Sequence, residues 1–221
     1  MSQTKEVIRR APRKRRKPTS DDDAAQVLDT IMINTVPVIN NWRNLPQLNY
    51  MTTTERGVLL TMLDAIQPKR MIEFGVNDGN TARTVLNHID SIEYYLGVDV
   101  PFDHIMTLSV QQSEAPREPG RFVKDDPRFD LFLRFNGVSE QVILDDEQFD
   151  VAFIDGDHSY RGVMLDYGIS RQVVRLGGLI LFHDYNNPAV EVTSALADIQ
   201  TQEKDRKLFH VAGTWIVYEQ L

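Results

Sequence analysis

MIEFGVNDGNTARTVL, residues 71–86, holds a strand, a turn and a helix start in sixteen positions. Met71 to Phe74 is a short run with three apolar residues, Gly75 and Gly79 bracket a polar turn, and apolar residues return at helical spacing from Thr81. Glycines at a strand-to-helix turn answer a need for positive φ or for close approach of another backbone or a ligand. The pattern repeats outward from this stretch. Strands are expected at 70–75, 94–99, 129–135, 149–155 and 178–183, with helices at 55–66, 80–88, 104–112, 138–144, 160–174 and 189–201. Two closing strands, 208–212 and 214–218, flank Gly213 as a hairpin. The inner runs are apolar nearly throughout, as befits strands covered by helices on both faces. The chain therefore reads as an α/β protein: a doubly wound, mostly parallel, seven-stranded sheet with a C-terminal antiparallel hairpin.

The chain has 221 residues, 42% of them hydrophobic, which suffices for one large domain at 53–221. No run approaches the length of a membrane span, and the N-terminus lacks the apolar stretch of a secretory signal. Cysteine is absent, which excludes disulfides, thiolate metal sites and a Cys nucleophile and suits a reducing compartment. Residues 1–20 carry eight of the 24 Lys/Arg and one of the 32 Asp/Glu, so the rest is more acidic than the net charge of −8. Such a body binds a phosphate backbone poorly. The basic segment, Lys5 to Lys17, reads as a disordered arm able to touch nucleic acid or another anionic surface. Ser20 followed by three aspartates starts a short helix to about Asn34, within an N-terminal cover that spans 21–52 and turns irregular beyond it. Residues 111–126, rich in Pro and charge, form a long loop that reads as a lid.

Two features single out a site. The turn Gly75-x-x-x-Gly79 departs from G-x-G-x-x-G and lacks the G-K-[ST] of a phosphate loop. The next strand ends in Asp99, placed to accept hydrogen bonds from ribose hydroxyls, so the two together favour a nucleoside. Further on, FDVAFIDGDHSYRGV (149–163) ends a strand in Asp155 and carries His158, and the following strand ends in His183-Asp184. Adjacent parallel strands bring these ends together. Two carboxylates and an imidazole there could bind a divalent cation, and His158 could remove a proton near neutral pH.

These stretches resemble a known family. Glu73-Phe-Gly75-Val-Asn77-Asp-Gly79 looks like motif I of class I S-adenosylmethionine-dependent methyltransferases, with a Rossmann-like sheet, and Tyr95-Leu-Gly-Val-Asp99 looks like their acidic second-strand motif. Phe153-Ile-Asp155-Gly-Asp-His158-Ser-Tyr160 and Leu176-Gly177-Gly178 to His183-Asp184 resemble the branch of small-molecule O-methyltransferases and cephalosporin-hydroxylase-like proteins. The resemblance implies that Glu73, Gly75, Asn77, Gly79, Asp99, Asn136 and Asp155 serve S-adenosylmethionine. It also implies that Asp155, His183 and Asp184 hold Mg²⁺ or another divalent cation, and that Asp155 and His158 are catalytic, with His158 as the base. His183 replaces what is usually an acidic ligand, a departure that weighs against a tight Mg²⁺ site.

The function expected is methyl transfer to a small-molecule hydroxyl. The competitors are a nucleic-acid or protein methyltransferase recruited through residues 5–17, and a non-catalytic binding or assembly protein that keeps the fold. A small-molecule acceptor, a homo-oligomer, no membrane and the cytoplasm (host cytoplasm or nucleus for a viral chain) complete the expectation.

Overall fold

In a computed structural model of the chain, residues 8–10, 29–33, 48, 50–113, 116–134, 148–202 and 207–221 are described. They form one sheet with helices on both faces. In chain order the elements are β1 (Ile8–Arg10), β2 (Asp29–Ile33), α1 (Thr53–Ile66), β3 (Arg70–Phe74), α2 (Asn80–His88), β4 (Tyr94–Asp99), β5 (Phe129–Leu133), β6 (Phe149–Ile154), α3 (Tyr160–Val173), β7 (Val174–Phe182), α4 (Val192–Gln202), β8 (Leu208–Val211) and β9 (Val217–Gln220). The strand order is β1-β2-β8-β9-β7-β6-β3-β4-β5. The seven expected strands are β3 to β9. Among them only β9 runs against its neighbours, pairing antiparallel with both β7 and β8.

Alternate residues of each inner strand feed two separate cores. Met71, Tyr95, Val151, Phe153, Leu179 and Leu181 pack with α1 and α2, where Leu59, Leu60, Leu63 and Val85 are buried. Ile72, Phe74, Val98, Ala152, Ile154, Ile180 and Phe182 pack with α3 and α4 on the other face. Both faces being covered is why the strands read as continuous apolar runs. Each fully buried Leu, Ile or Phe contributes about 1.5–3 kcal/mol of transfer free energy. Local signals set the helix ends. Thr52 and Glu55 form a capping box at the start of α1, Gln67 in the left-handed region ends it, and Ser159 caps α3 by accepting from the Gly162 amide.

The chain runs outward from β3 to β4 and β5, then returns to β6 on the other side of β3. The switch point between β3 and β6 is where ligands bind in open α/β sheets, and Gly75 and Asp155 end these two strands.

The structure corrects three expectations. Asp29–Ile33 is a strand, not part of a helix, because β2 pairs in parallel with β8 (Asp29 opposite Phe209, Ile31 opposite Val211), and Thr30, Ile31 and Ile33 favour extended backbone. Ile8–Arg10, within the segment expected to be disordered, pairs antiparallel with β2, so β1 and β2 extend the seven expected strands to nine. Residues 104–112 hold only a 3-10 turn at Ser109–Gln111. The Gln112 side chain replaces helical bonds there, accepting from the Met106 amide and donating to the His104 carbonyl. The expected helix at 138–144 and Asn136 lie outside the described residues, as does most of 1–47.

Candidate active site

The turn after β3 is built from backbone conformation. Gly75 has φ +88°, and a Cβ there would sit 2.2 Å from the Asp155 carbonyl oxygen, so only glycine lets β3 and β6 end side by side. Asn77 adopts φ +51° and donates its amide to Asp99 Oδ2 at 2.6 Å, while Val100 N donates to Asp99 Oδ1 at 2.7 Å. Burial raises the Asp99 pKa above its ordinary value, and the amides of Val100 and Asn77 oppose that shift. The loop after β4 is stitched to the same turn, since Gly120 N donates to Asn77 O at 2.7 Å and Phe122 N to Asp78 O at 3.0 Å.

The rim at the ends of β6 and β7 is built from buried charge. His183 Nδ1 lies 3.1 Å from Asp155 Oδ1 and 3.4 Å from Asp184 Oδ2, while its Nε2 lies 3.7 Å from Glu55 Oε1. His158 bridges the same two acids, with Nε2 3.4 Å from Asp155 and Nδ1 3.4 Å from Asp184. An imidazole facing carboxylates through both nitrogens favours its protonated form. Burial lowers the His183 pKa, yet Asp155, Asp184 and Glu55 outweigh it and hold the value well above 6.5. His158 is raised in the same way. Burial pushes Asp155 up, and the two imidazoles overcome it to hold Asp155 at about 2. Asp184 adopts φ +62°, a conformation Asp tolerates better than most residues, and its Oδ1 accepts from Asn187 Nδ2. Asp155 is not the cap of α3; Ser159 takes that role and leaves Asp155 to the rim.

One cavity of about 490 Å³ joins the two features. Gly75, Val76, Asn77, Thr81 and Asp99 line one wall, Asp155, Gly156, His158 and Asp184 another, and Tyr50, Val190 and Trp215 a third. That volume lies within the range of about 300–1,000 Å³ usual for small-molecule sites. The depth of the glycine turn and the acid at the end of β4 leave room for a nucleoside, and two oxygen donors with one imidazole can hold a divalent cation.

A profile of a family described as a methyltransferase domain matches residues 72–185, from β3 to just past β7. This chain belongs to the methyltransferase-domain family. The methyltransferase domain shares its fold with solved O-methyltransferases. An O-methyltransferase from Bacillus cereus in complex with S-adenosylhomocysteine (SAH) superposes with a TM-score of 0.55 at 15% identity, over 81% of this chain and 86% of that one. An SAH-bound methyltransferase of Podospora anserina gives 0.55 at 13% identity, over 76% and 78%. The O-methyltransferase TomG of Streptomyces achromogenes, solved with S-adenosylmethionine, gives 0.54 at 11% identity, over 81% and 84%. Among curated proteins, an uncharacterized protein of Acanthamoeba polyphaga mimivirus is 38% identical over 72 residues, which is 30% of this chain and 33% of that relative. This chain thus spans about a third of the curated relative it matches.

Within this methyltransferase domain the candidate residues separate into those on the cavity wall and those behind it. Gly75, Asn77, Asp99, Asp155, His158 and Asp184 line the cavity. Glu73 and Gly79 do not. Glu73 is buried under the turn, accepts from Tyr95 Oη at 2.9 Å, and has its pKa raised well above 4.5, chiefly by burial. Gly79 lets the 120–123 loop come close, where a Cβ would meet Val123 at 2.9 Å. The expected cation set was Asp155, His183 and Asp184. Among the described residues the acids and imidazole whose ligand atoms lie within 4.8 Å of one another are Asp155, His158 and Asp184, while His183 faces Asp155 and Asp184 through Nδ1 and lies 3.7 Å from Glu55 through Nε2.

Two residues escaped the reading of the sequence. Gln111 is buried and clamps the loop after β6, donating to Gly156 O at 2.9 Å and accepting from His158 N at 3.0 Å. Glu55 lies 100 residues before Asp155 in the chain, and its only visible signal was the Thr52-x-x-Glu55 capping pattern. Asp157, unassigned from sequence, braces the same loop by accepting from Ser159 N and Thr107 Oγ1.

Proposed function

We propose that this chain uses S-adenosylmethionine to methylate a hydroxyl oxygen of a small molecule. The observation that carries this reading is the single cavity whose walls are the Gly75–Asp99 turn on one side and the Asp155–His158–Asp184 rim on the other. Relatives of the same fold that were solved with SAH or S-adenosylmethionine support the choice of cofactor. When bound, S-adenosylmethionine supplies an electrophilic sulfonium methyl and departs as SAH once the methyl–sulfur bond is broken by the acceptor oxygen. In this reading Asp99 accepts from the ribose hydroxyls, and the Gly75–Asn77 backbone holds the amino-acid part. The rim holds the acceptor hydroxyl against the methyl, so most of the acceleration comes from positioning. His158 in its neutral form takes the hydroxyl proton. Its raised pKa makes it a stronger base that is available only at higher pH. Tyr50, Val190 and Trp215 suit a flat, weakly hydrated acceptor.

A divalent cation is the second reading, favoured by the clustering of Asp155, His158 and Asp184. Those three would hold it, and it would lower the pKa of an acceptor oxygen. His158 cannot serve as ligand and base at once, so the two readings are exclusive for that residue.

Calorimetry with S-adenosylmethionine and SAH, followed by detection of SAH formed with a panel of phenols and sugar hydroxyls, tests the proposal. Binding with turnover on a hydroxyl is the expected result. If neither compound binds, the proposal fails. Turnover that survives a chelator and is unchanged by Mg²⁺ or Mn²⁺ would exclude the cation.

A further inference from the structure

Glu55 lies outside residues 72–185, which match the family, yet its carboxylate reaches the rim. It sits in the first turn of α1 and is 5% exposed. Its two oxygens do different things. Oε2 accepts from the Thr52 amide at 2.9 Å and the Thr52 hydroxyl at 2.8 Å, which completes the capping box. Oε1 accepts from the Trp215 amide at 2.8 Å and lies 3.7 Å from His183 Nε2. A capping box needs only the first oxygen, so the second is unexplained by the helix.

His183 supplies the reason. Its side chain is 1% exposed, and Nε2 has no hydrogen-bond partner among the described residues, while Nδ1 is engaged with Asp155. At 3.7 Å the Glu55 contact is too long for a hydrogen bond but within reach of electrostatic attraction. Carboxylates at both nitrogens fix the ring plane, because a half-turn would set ring carbons against them. Glu55 also fixes the backbone of Trp215, whose side chain lines the cavity. One carboxylate thereby joins α1, the end of β7 and the β8–β9 connection.

We infer that Glu55 is a positioning residue for the rim, holding His183, which in turn holds Asp155. This inference rests on the proposed reading of the rim as the acceptor site. The test uses the full chain saturated with SAH, labelled with ¹⁵N in its histidine rings, with His183 assigned by loss of its signals in His183→Asn. In Glu55→Ala both His183 ring-nitrogen resonances should shift, SAH affinity should stay within about threefold, and kcat on whichever hydroxyl is accepted should fall about tenfold or more with little change in KM, as a misplaced group produces. Thr52→Ala removes one half of the capping box and leaves Oε1 in place. It should lower the melting temperature, with the His183 resonances and kcat unchanged. If Glu55→Ala and Thr52→Ala give the same His183 spectrum and the same kcat, Glu55 is only a cap and the inference is overturned. Should Glu55→Ala not fold, Glu55→Gln keeps the side-chain reach and is read by the same resonances. Failure of the wild-type chain to bind SAH would refute the functional reading alone, and the His183 resonances would still decide the role of Glu55.

Discussion

The two walls of the cavity are made by different physics. The wall after β3 is a matter of backbone: Gly75 and Asn77 in the left-handed region, amides converging on Asp99, and strand ends too close for any Cβ. The wall at the ends of β6 and β7 is a matter of charge: Asp155, Asp184 and Glu55 around two imidazoles, most of them hidden from water. A backbone wall tolerates no added bulk. A charge wall tolerates no unpaired member, because a buried ion without its partner is costly.

Substitutions should separate the two. Gly75→Ala carries the largest effect. Its Cβ would meet backbone at 2.2 Å and the residue would be held at φ +88°, so overpacking and strain together should destabilise the fold by about 3 kcal/mol or more in denaturant titrations. Asp155→Asn keeps the shape and removes a charge that both imidazoles use. We expect turnover to fall by about two orders of magnitude with SAH affinity altered far less, as a kcat-against-Kd comparison would reveal. Asp99→Ala should do the reverse, weakening SAH binding by roughly tenfold in calorimetry for the loss of charge-assisted hydrogen bonds. A Gly75→Ala protein as stable as the wild type, or an Asp99→Ala protein that loses turnover but not affinity, would erase the distinction.

The charge wall also predicts a pH dependence. Asp155 and Glu55 are both held at about 2, below their ordinary 3.8 and 4.5. For Glu55, burial pushes the value up, but His183 and the bonds from Thr52 and Trp215 prevail. Groups depressed on folding stabilise the protein above their unfolded values and lose that contribution as pH falls toward 2. His183, raised on folding, stabilises below 6.5 and loses its contribution as pH climbs through its raised value. Melting temperature should therefore be highest between the ordinary carboxylate value of 4.5 and the ordinary histidine value of 6.5, declining below the first and above the second, and His183→Asn should blunt both limbs. The smallest effect belongs to an exposed pair. Lys69 and Glu93 lie 2.8 Å apart with side chains 69% and 67% exposed, and Lys69→Met should leave the denaturation midpoint unchanged within experimental error. A measurable loss there would mean that proximity, not burial, sets the worth of charge in this protein.

The backbone wall was legible in the sequence because its causes are local. Gly75, Gly79 and the alternation of apolar runs with helical spacing are read from neighbours, and they determine the parallel sheet, the strand-to-helix turn and the place of Asp99. Asp155, His158 and Asp184 were legible as candidates for the same reason, since each stands at or just after a strand end. Their division of labour was not. Whether His158 or His183 completes the acidic pair depends on rotamers and on the partner of each nitrogen, and Glu55, 128 residues before His183 in the chain, decides one of those partners. Strand β2, between β1 and β8, was hidden likewise, because a five-residue segment takes its conformation from the strands it meets. Sequence by itself determined the seven strands β3 to β9 and the strand ends that border the cavity. Tertiary structure decided which charges face each other, because burial and pairing are properties of segments brought together from distant parts of the chain.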